Sequence, residues 1–176
     1  MHASTVAIDL AKEVFELAFA DAQGRIIERK RLSRRAFIRS LETRPPLRVL
    51  MEACGGAHCW ARRFQRQGHA VRLLPARDVR PYVRGNKTDR NDVAGILEAD
   101  RCAGIAPVPV KTPEQQGIQA LHRLREHLKA ERTATLNLLR GVLREFGVAV
   151  PLGPPALRRR APRPALSRTR CRARAR

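Results

Sequence analysis

STVAIDLAKEVFELAFADAQGRIIERKRL, residues 4–32, is the stretch that decides the fold. Residues 4–10 are β-rich and almost wholly apolar up to Asp9, which predicts a buried strand ending in a carboxylate. VFELAFA, residues 14–20, predicts a second strand, and Asp21-Ala-Gln-Gly24 is a turn signal. RIIERKRL, residues 25–32, predicts a third strand whose charges suit one wet face.

Working outward, Ser33 suits the cap of a short helix over 34–42 with Phe37, Ile38 and Leu41 turned inward. Pro45-Pro46 breaks the chain, and LRVLMEA, 47–53, predicts a fourth strand carrying a second acid, Glu52. Gly55-Gly56 opens a helix to about Gln67 and Gly68 closes it. AVRLLPA, 70–76, predicts a fifth strand, and a further helix follows from Asp89 to Ala103. Three strands joined by tight turns and then crossing helices predict an α/β fold with a mixed five-stranded sheet.

A Pro-spaced linker, 106–110, leads to Thr112-Pro-Glu-Gln115, a capped helix start. Ile118, Leu121, Leu124, Leu128, Leu136, Leu139, Leu143 and Phe146 then form an apolar stripe with helical spacing. An unbroken helix there would be about 50 Å long, more than a small domain covers. Either the segment bends into a hairpin near Thr133–Thr135, or it pairs with another chain. The expected organisation is therefore a domain over 4–105, a long helix or helical hairpin over 112–147 and a disordered Arg/Pro/Ala-rich tail over 151–176.

The 176 residues carry 36 Lys+Arg against 16 Asp+Glu, a formal charge of +20, so a polyanion is the expected partner. The tail holds nine Arg and no acid, yet residues 1–150 remain at +11 without it. Arg outnumbers Lys by 31 to 5, which reads as codon bias more than chemistry. At 43% hydrophobic residues the chain can form a packed core. The four Cys (54, 59, 102, 171) show no CxxC pair, and His58 and Cys59 beside Cys54 lack a second cluster with zinc spacing. No apolar run approaches the roughly 18 residues of a membrane span, nor is there a signal-like h-region. The expectation is a cytoplasmic, nucleoid-associated protein with no membrane partner.

Two strands expected to lie side by side thus end in Asp9 and Glu52. Lys87-Thr-Asp-Arg-Asn-Asp92 adds Asp89 and Asp92, three apart at a helix start and so on one face. Four gathered carboxylates repel one another, and a hard divalent cation with oxygen ligands relieves that. Two such ions about 4 Å apart can cleave a phosphodiester. Each acid alone equally suits a turn or a helix cap. Glu52 is the exception, because an unpaired carboxylate in an apolar strand is costly. Lys12, Arg80, Tyr82, Arg84 and Lys87 are candidate nucleic-acid contacts, through phosphate pairing and stacking; a solvated basic loop explains them equally well. Trp60 and Phe64, four apart on a helix, read as core.

The blocks AIDLAKEVFELA, VLMEACGGAHCWARRF and VRLLPARDVRPYVRGNKTDRNDVAGILEA, in that order, resemble the N-terminal domain of the DEDD insertion-sequence transposases, relatives of the Piv DNA invertases. The resemblance covers about residues 4–150. It implies an RNase H-like (RuvC-like) fold, with Asp9, Glu52, Asp89 and Asp92 as both the catalytic and the metal-binding set for Mg²⁺ or Mn²⁺. It also implies DNA as substrate, a structured guide RNA on the basic surface and assembly of protomers through a coiled-coil-like long helix. Members of the family continue into a second domain with helix-hairpin-helix character and a serine nucleophile, which residues 151–176 do not resemble. The composition of that tail is what out-of-frame GC-rich DNA encodes, so a frameshift near 150–156 is expected. A non-catalytic nucleic-acid-binding remnant and a standalone junction-resolving nuclease of the same fold are the alternatives.

Overall fold

A computed structural model of the chain describes residues 2–83 and 89–151, and of Asp89 the backbone only. Arg84 and Lys87, and the tail beyond Pro151, lie outside the described residues. The chain divides into two compact units that meet in sequence between Gln115 and Gln116.

Five strands form one sheet in the order β3-β2-β1-β4-β5: β1 (Thr5–Asp9), β2 (Val14–Ala20), β3 (Ile26–Ser33), β4 (Arg48–Glu52) and β5 (Ala70–Leu74). The first three strands run antiparallel, while β4 and β5 lie parallel to β1. The sheet is therefore mixed, as the short early turns and later helical crossovers require. Asp21 builds the β2–β3 turn: its Oδ1 accepts from the N–H groups of Gln23 (3.0 Å) and Arg25 (2.9 Å), and its Oδ2 from Arg25 Nε at 3.0 Å. Burial raises the Asp21 pKa, but these donors outweigh it and hold the carboxyl below its ordinary value.

Central β1 is buried on both faces, which is why it reads as a continuous apolar run: Val6, Ala7 and Ile8 are all inaccessible. On one face Val6, Ile8, Phe15, Leu17, Val49 and Met51 pack against α1 (Arg34–Ser40) and α2 (Ala57–Arg66). Ser33 caps α1 as its type predicts, Oγ accepting from Ala36 N–H at 3.4 Å. Phe37 stacks on Phe15 with centroids 4.2 Å apart, and half-buried Trp60 meets both edge-on. Buried His69 ties this layer together. Its Nδ1 accepts from Leu47 N–H at 3.1 Å while Nε2 lies 3.2 Å from the Leu41 carbonyl, so a neutral ring protonated on Nε2 serves both.

The other face is lined by Ala7, Ala18, Ala20, Leu50 and Leu74, and these mostly small residues let α4 (Asp89–Arg101) lie close through Val93, Ile96 and Leu97. Asp100, near the end of α4, pairs with Arg48 at 2.8 Å and Arg72 at 3.0 Å. The α4 face and the strand order are those of an RNase H-like α/β fold.

Several boundaries differ from expectation. The fifth strand stops at Leu74 because Pro75 is the N-cap of α3 (Ala76–Val79), which passes into a single 3-10 turn, Arg80–Tyr82. Neither piece was expected, being too short to show periodicity. The Pro-spaced linker is pinned to the sheet edge by Val108 N–H donating to the Leu73 carbonyl at 2.8 Å. Beyond it, α5 (Pro113–Glu145) is one unbroken helix of 33 residues, so the hairpin is not adopted. Thr112 and Gln115 form the expected reciprocal cap, at 3.0 and 3.2 Å.

Candidate active site

Strand register sets the site. Ile8 pairs with Met51 in the parallel ladder, so one residue further Asp9 and Glu52 stand at adjoining positions. Residues in register on neighbouring strands point to the same face. Both carboxylates therefore emerge on the α4 side, at the carboxyl ends of β1 and β4. Open α/β sheets place ligands at that end, beside the point where the connections reverse direction.

A cleft of about 720 Å³ opens there, lined by Asp9, Glu52 and Asp92 together with Cys54, Arg77 and Arg80. Leu10, Ala76, Val79 and Val83 form its apolar walls. Asp92 reaches it from the first turn of α4, the helix whose first residue is Asp89. The structure thus brings three of the four expected acids to one cleft, while the fourth, Asp89, is described only as the first backbone residue of α4. Arg80 joins them, whereas Lys12 is exposed in the β1–β2 turn and its carbonyl accepts from Arg34 Nη1 at 3.1 Å.

Tyr82 lies elsewhere. It is half-buried against the α4-side core, and its hydroxyl bonds the Cys102 thiol, which raises the tyrosine pKa and lowers that of the thiol. His58 is likewise accounted for within the fold: Nδ1 accepts from Lys111 N–H at 3.1 Å. Burial, then the Lys111 and Arg62 charges, lower its pKa.

Sequence reasoning missed Arg77 and Cys54 at the site. Arg77 sits on unforeseen α3 with its Nε 3.0 Å from Asp78 Oδ1, and no motif marks it. Cys54, two residues beyond Glu52, reports the local field. Burial raises its thiol pKa, and the Glu52 and Asp9 charges raise it further, so both carboxylates act on one thiol.

The chemistry of this donor set suits a hard divalent cation: carboxylate oxygens predominate and, among the described residues, no histidine lines the cleft. Among the described residues, no three acid, histidine or cysteine side chains converge closely enough to hold one ion by themselves. No helix of the described residues is long and apolar enough to cross a membrane.

Comparison with known proteins fits this geometry. Residues 6–148 match the family model of the DEDD transposases of the IS110 type, described as "Transposase". A probable family 20 transposase of Pseudomonas aeruginosa is 44% identical over 151 residues, covering 84% of this chain and 44% of that protein. The transposase for insertion sequence element IS1111A of Coxiella burnetii is 40% identical over 146 residues, 83% of this chain and 40% of that one. The transposase for insertion sequence element IS1328 of Yersinia enterocolitica is 38% identical over 160 residues, 91% and 48% respectively. The chain spans less than half the length of these curated relatives. With its acid-lined cleft inside a match that takes in both units of the fold, the chain belongs to the DEDD transposase family of the IS110 type.

Proposed function

We propose that this chain is the metal-dependent catalytic domain of a DNA-transposing enzyme, with Asp9, Glu52, Asp89 and Asp92 holding Mg²⁺ or Mn²⁺. The carrying observation is the register that sets Asp9 beside Glu52 at the mouth of a cleft that Asp92 closes from α4. A divalent cation supplies Lewis acidity and charge neutralisation for phosphodiester chemistry. Arg77 and Arg80, on the same cleft, bind the phosphates of the strand to be cut and orient its backbone. Val79 and Val83 keep that wall dry, which strengthens the charge contacts beside them.

The substrate in this reading is DNA, and the basic surface also carries a structured RNA guide. A second copy of the chain assembles on α5. Hydrolysis of a phosphodiester needs only the cleft.

Replacing Asp9 tests the assignment. Asp9→Asn should weaken Mn²⁺ binding by calorimetry at least about tenfold, the scale on which supporting groups of metal sites act. It should also abolish Mg²⁺-dependent cutting of branched DNA. Undiminished metal affinity and cutting would refute the reading.

A further inference from the structure

The row that contains Asp9 and Glu52 does not stop at them. In the sheet register Glu52 lies opposite Leu74, Asp9 opposite Glu16, and Glu16 opposite Arg31. Read across the sheet, one line of side chains on the α4 face runs Leu74, Glu52, Asp9, Glu16, Arg31. Three consecutive strands therefore present three carboxylates at one level.

Glu16 is anomalous in this place. Acids directly opposite one another on neighbouring strands destabilise a sheet, and their Cβ atoms stand only about 5 Å apart. Glu16 Oε2 is also shut off from solvent and has no hydrogen-bond partner among the described residues. A buried carboxylate oxygen without a partner costs free energy that a fold normally avoids. Its other cross-strand neighbour does not relieve it, because no ion pair joins Arg31 to Glu16 among the described residues. Next to Asp9, what removes both costs is a source of hydrogen bonds and positive charge.

We infer that Glu16 is a further acid of the proposed metal site, accepting hydrogen bonds from the water shell of the cation that Asp9 and Glu52 hold. The inference rests on the metal-site reading above. A direct bond to the ion is not required: no three described acids converge on one point. Mg²⁺ in particular keeps several of its waters when bound by one or two carboxylates, and those waters need acceptors. Glu16 is thus a positioning residue. It would hold the hydrated side of a bound ion on the β2 flank of Asp9.

The test is Mn²⁺ titration of the full chain by calorimetry, in parallel with thermal melts without metal. Glu16→Gln keeps the shape and removes the charge. It should weaken Mn²⁺ binding about 10- to 100-fold, the usual penalty for losing an outer partner of a metal site. Its metal-free melting temperature should hold or rise, because the repulsion with Asp9 is gone. Glu16→Asp, which keeps the charge, should recover most of the affinity and guards against a packing artefact of the amide. Wild-type affinity in Glu16→Gln alongside a clear loss in Asp9→Asn would overturn the role of Glu16 alone. Wild-type affinity in both variants would overturn the metal site, and this inference with it.

Discussion

Gly95 allows α4 to approach the cleft. A Cβ there would stand 2.7 Å from Val83 Cγ2 and 3.1 Å from Val83 N, so the helix meets the backbone after the 3-10 turn with no room for a methyl group. Val83 lines the cleft that Asp92 enters from the same helix. Gly95→Ala removes an unfavourable helix residue but overpacks this contact, and overpacking wins, at a cost of about 1–3 kcal/mol. A melting temperature lowered by several degrees and weakened Mn²⁺ binding are the expected results; an unchanged or raised melt would show that Val83 gives way freely. Tyr82 teaches the opposite lesson at this scale. Its neighbours in sequence are basic, yet its hydroxyl is engaged by Cys102 from beyond α4.

At the scale of elements, α5 stands apart because none of its residues is buried. Leu121 and Leu138 are each 68% exposed, and Leu124 and Leu128 54%. Spacings of three and four join Leu121, Leu124, Leu128, Glu131, Thr135, Leu138 and Val142 into one seam. That seam is symmetric about Thr133: Leu128 and Leu138 lie equally far from it, as do Leu124 and Val142, and Glu131 and Thr135. A second copy packed antiparallel would set leucine on leucine and Glu131 against Thr135. A parallel pair would set Glu131 against itself. Sedimentation of the full chain should show a dimer. Leu128→Lys and Leu138→Glu should each yield monomers, while their mixture restores dimers because the antiparallel layer joins lysine to glutamate. A mixture that stays monomeric excludes this register.

For the whole molecule, charge is the dominant property. A formal +20 on 176 residues guarantees attraction to any polyanion, and counterion release makes that attraction steeply salt-dependent. If the chain contacts 6–10 DNA phosphates, its affinity should fall by about 10³–10⁵ between 50 and 200 mM salt. A fluorescence-anisotropy titration that stays flat over this range would mean that the charge serves something other than phosphate contacts. Asp9→Asn should leave this slope nearly unchanged, since it alters the cleft and not the basic surface.

Much of this was legible in the residues because it is local. Apolar runs ending in Asp9 and Glu52, the Ser33 and Thr112 caps and the break at Pro45-Pro46 each act over a few positions, and the sheet followed from counting strands and crossovers. The stripe on α5 was equally plain, though its unbroken course past Thr133 was not decided by spacing. Tertiary structure alone decided which residues share a level of the sheet. Register is a relation between strands distant in sequence, and a shift of one residue would turn Asp9 away from Glu52. For the same reason Glu16 reads in sequence as an ordinary acid within a strand, and Arg77 as one arginine among 31. Sequence determined the elements and the chemical character of the chain, because those depend on neighbours along the backbone. Only packing of the strands and α4 decided which acids meet, because that depends on neighbours in space.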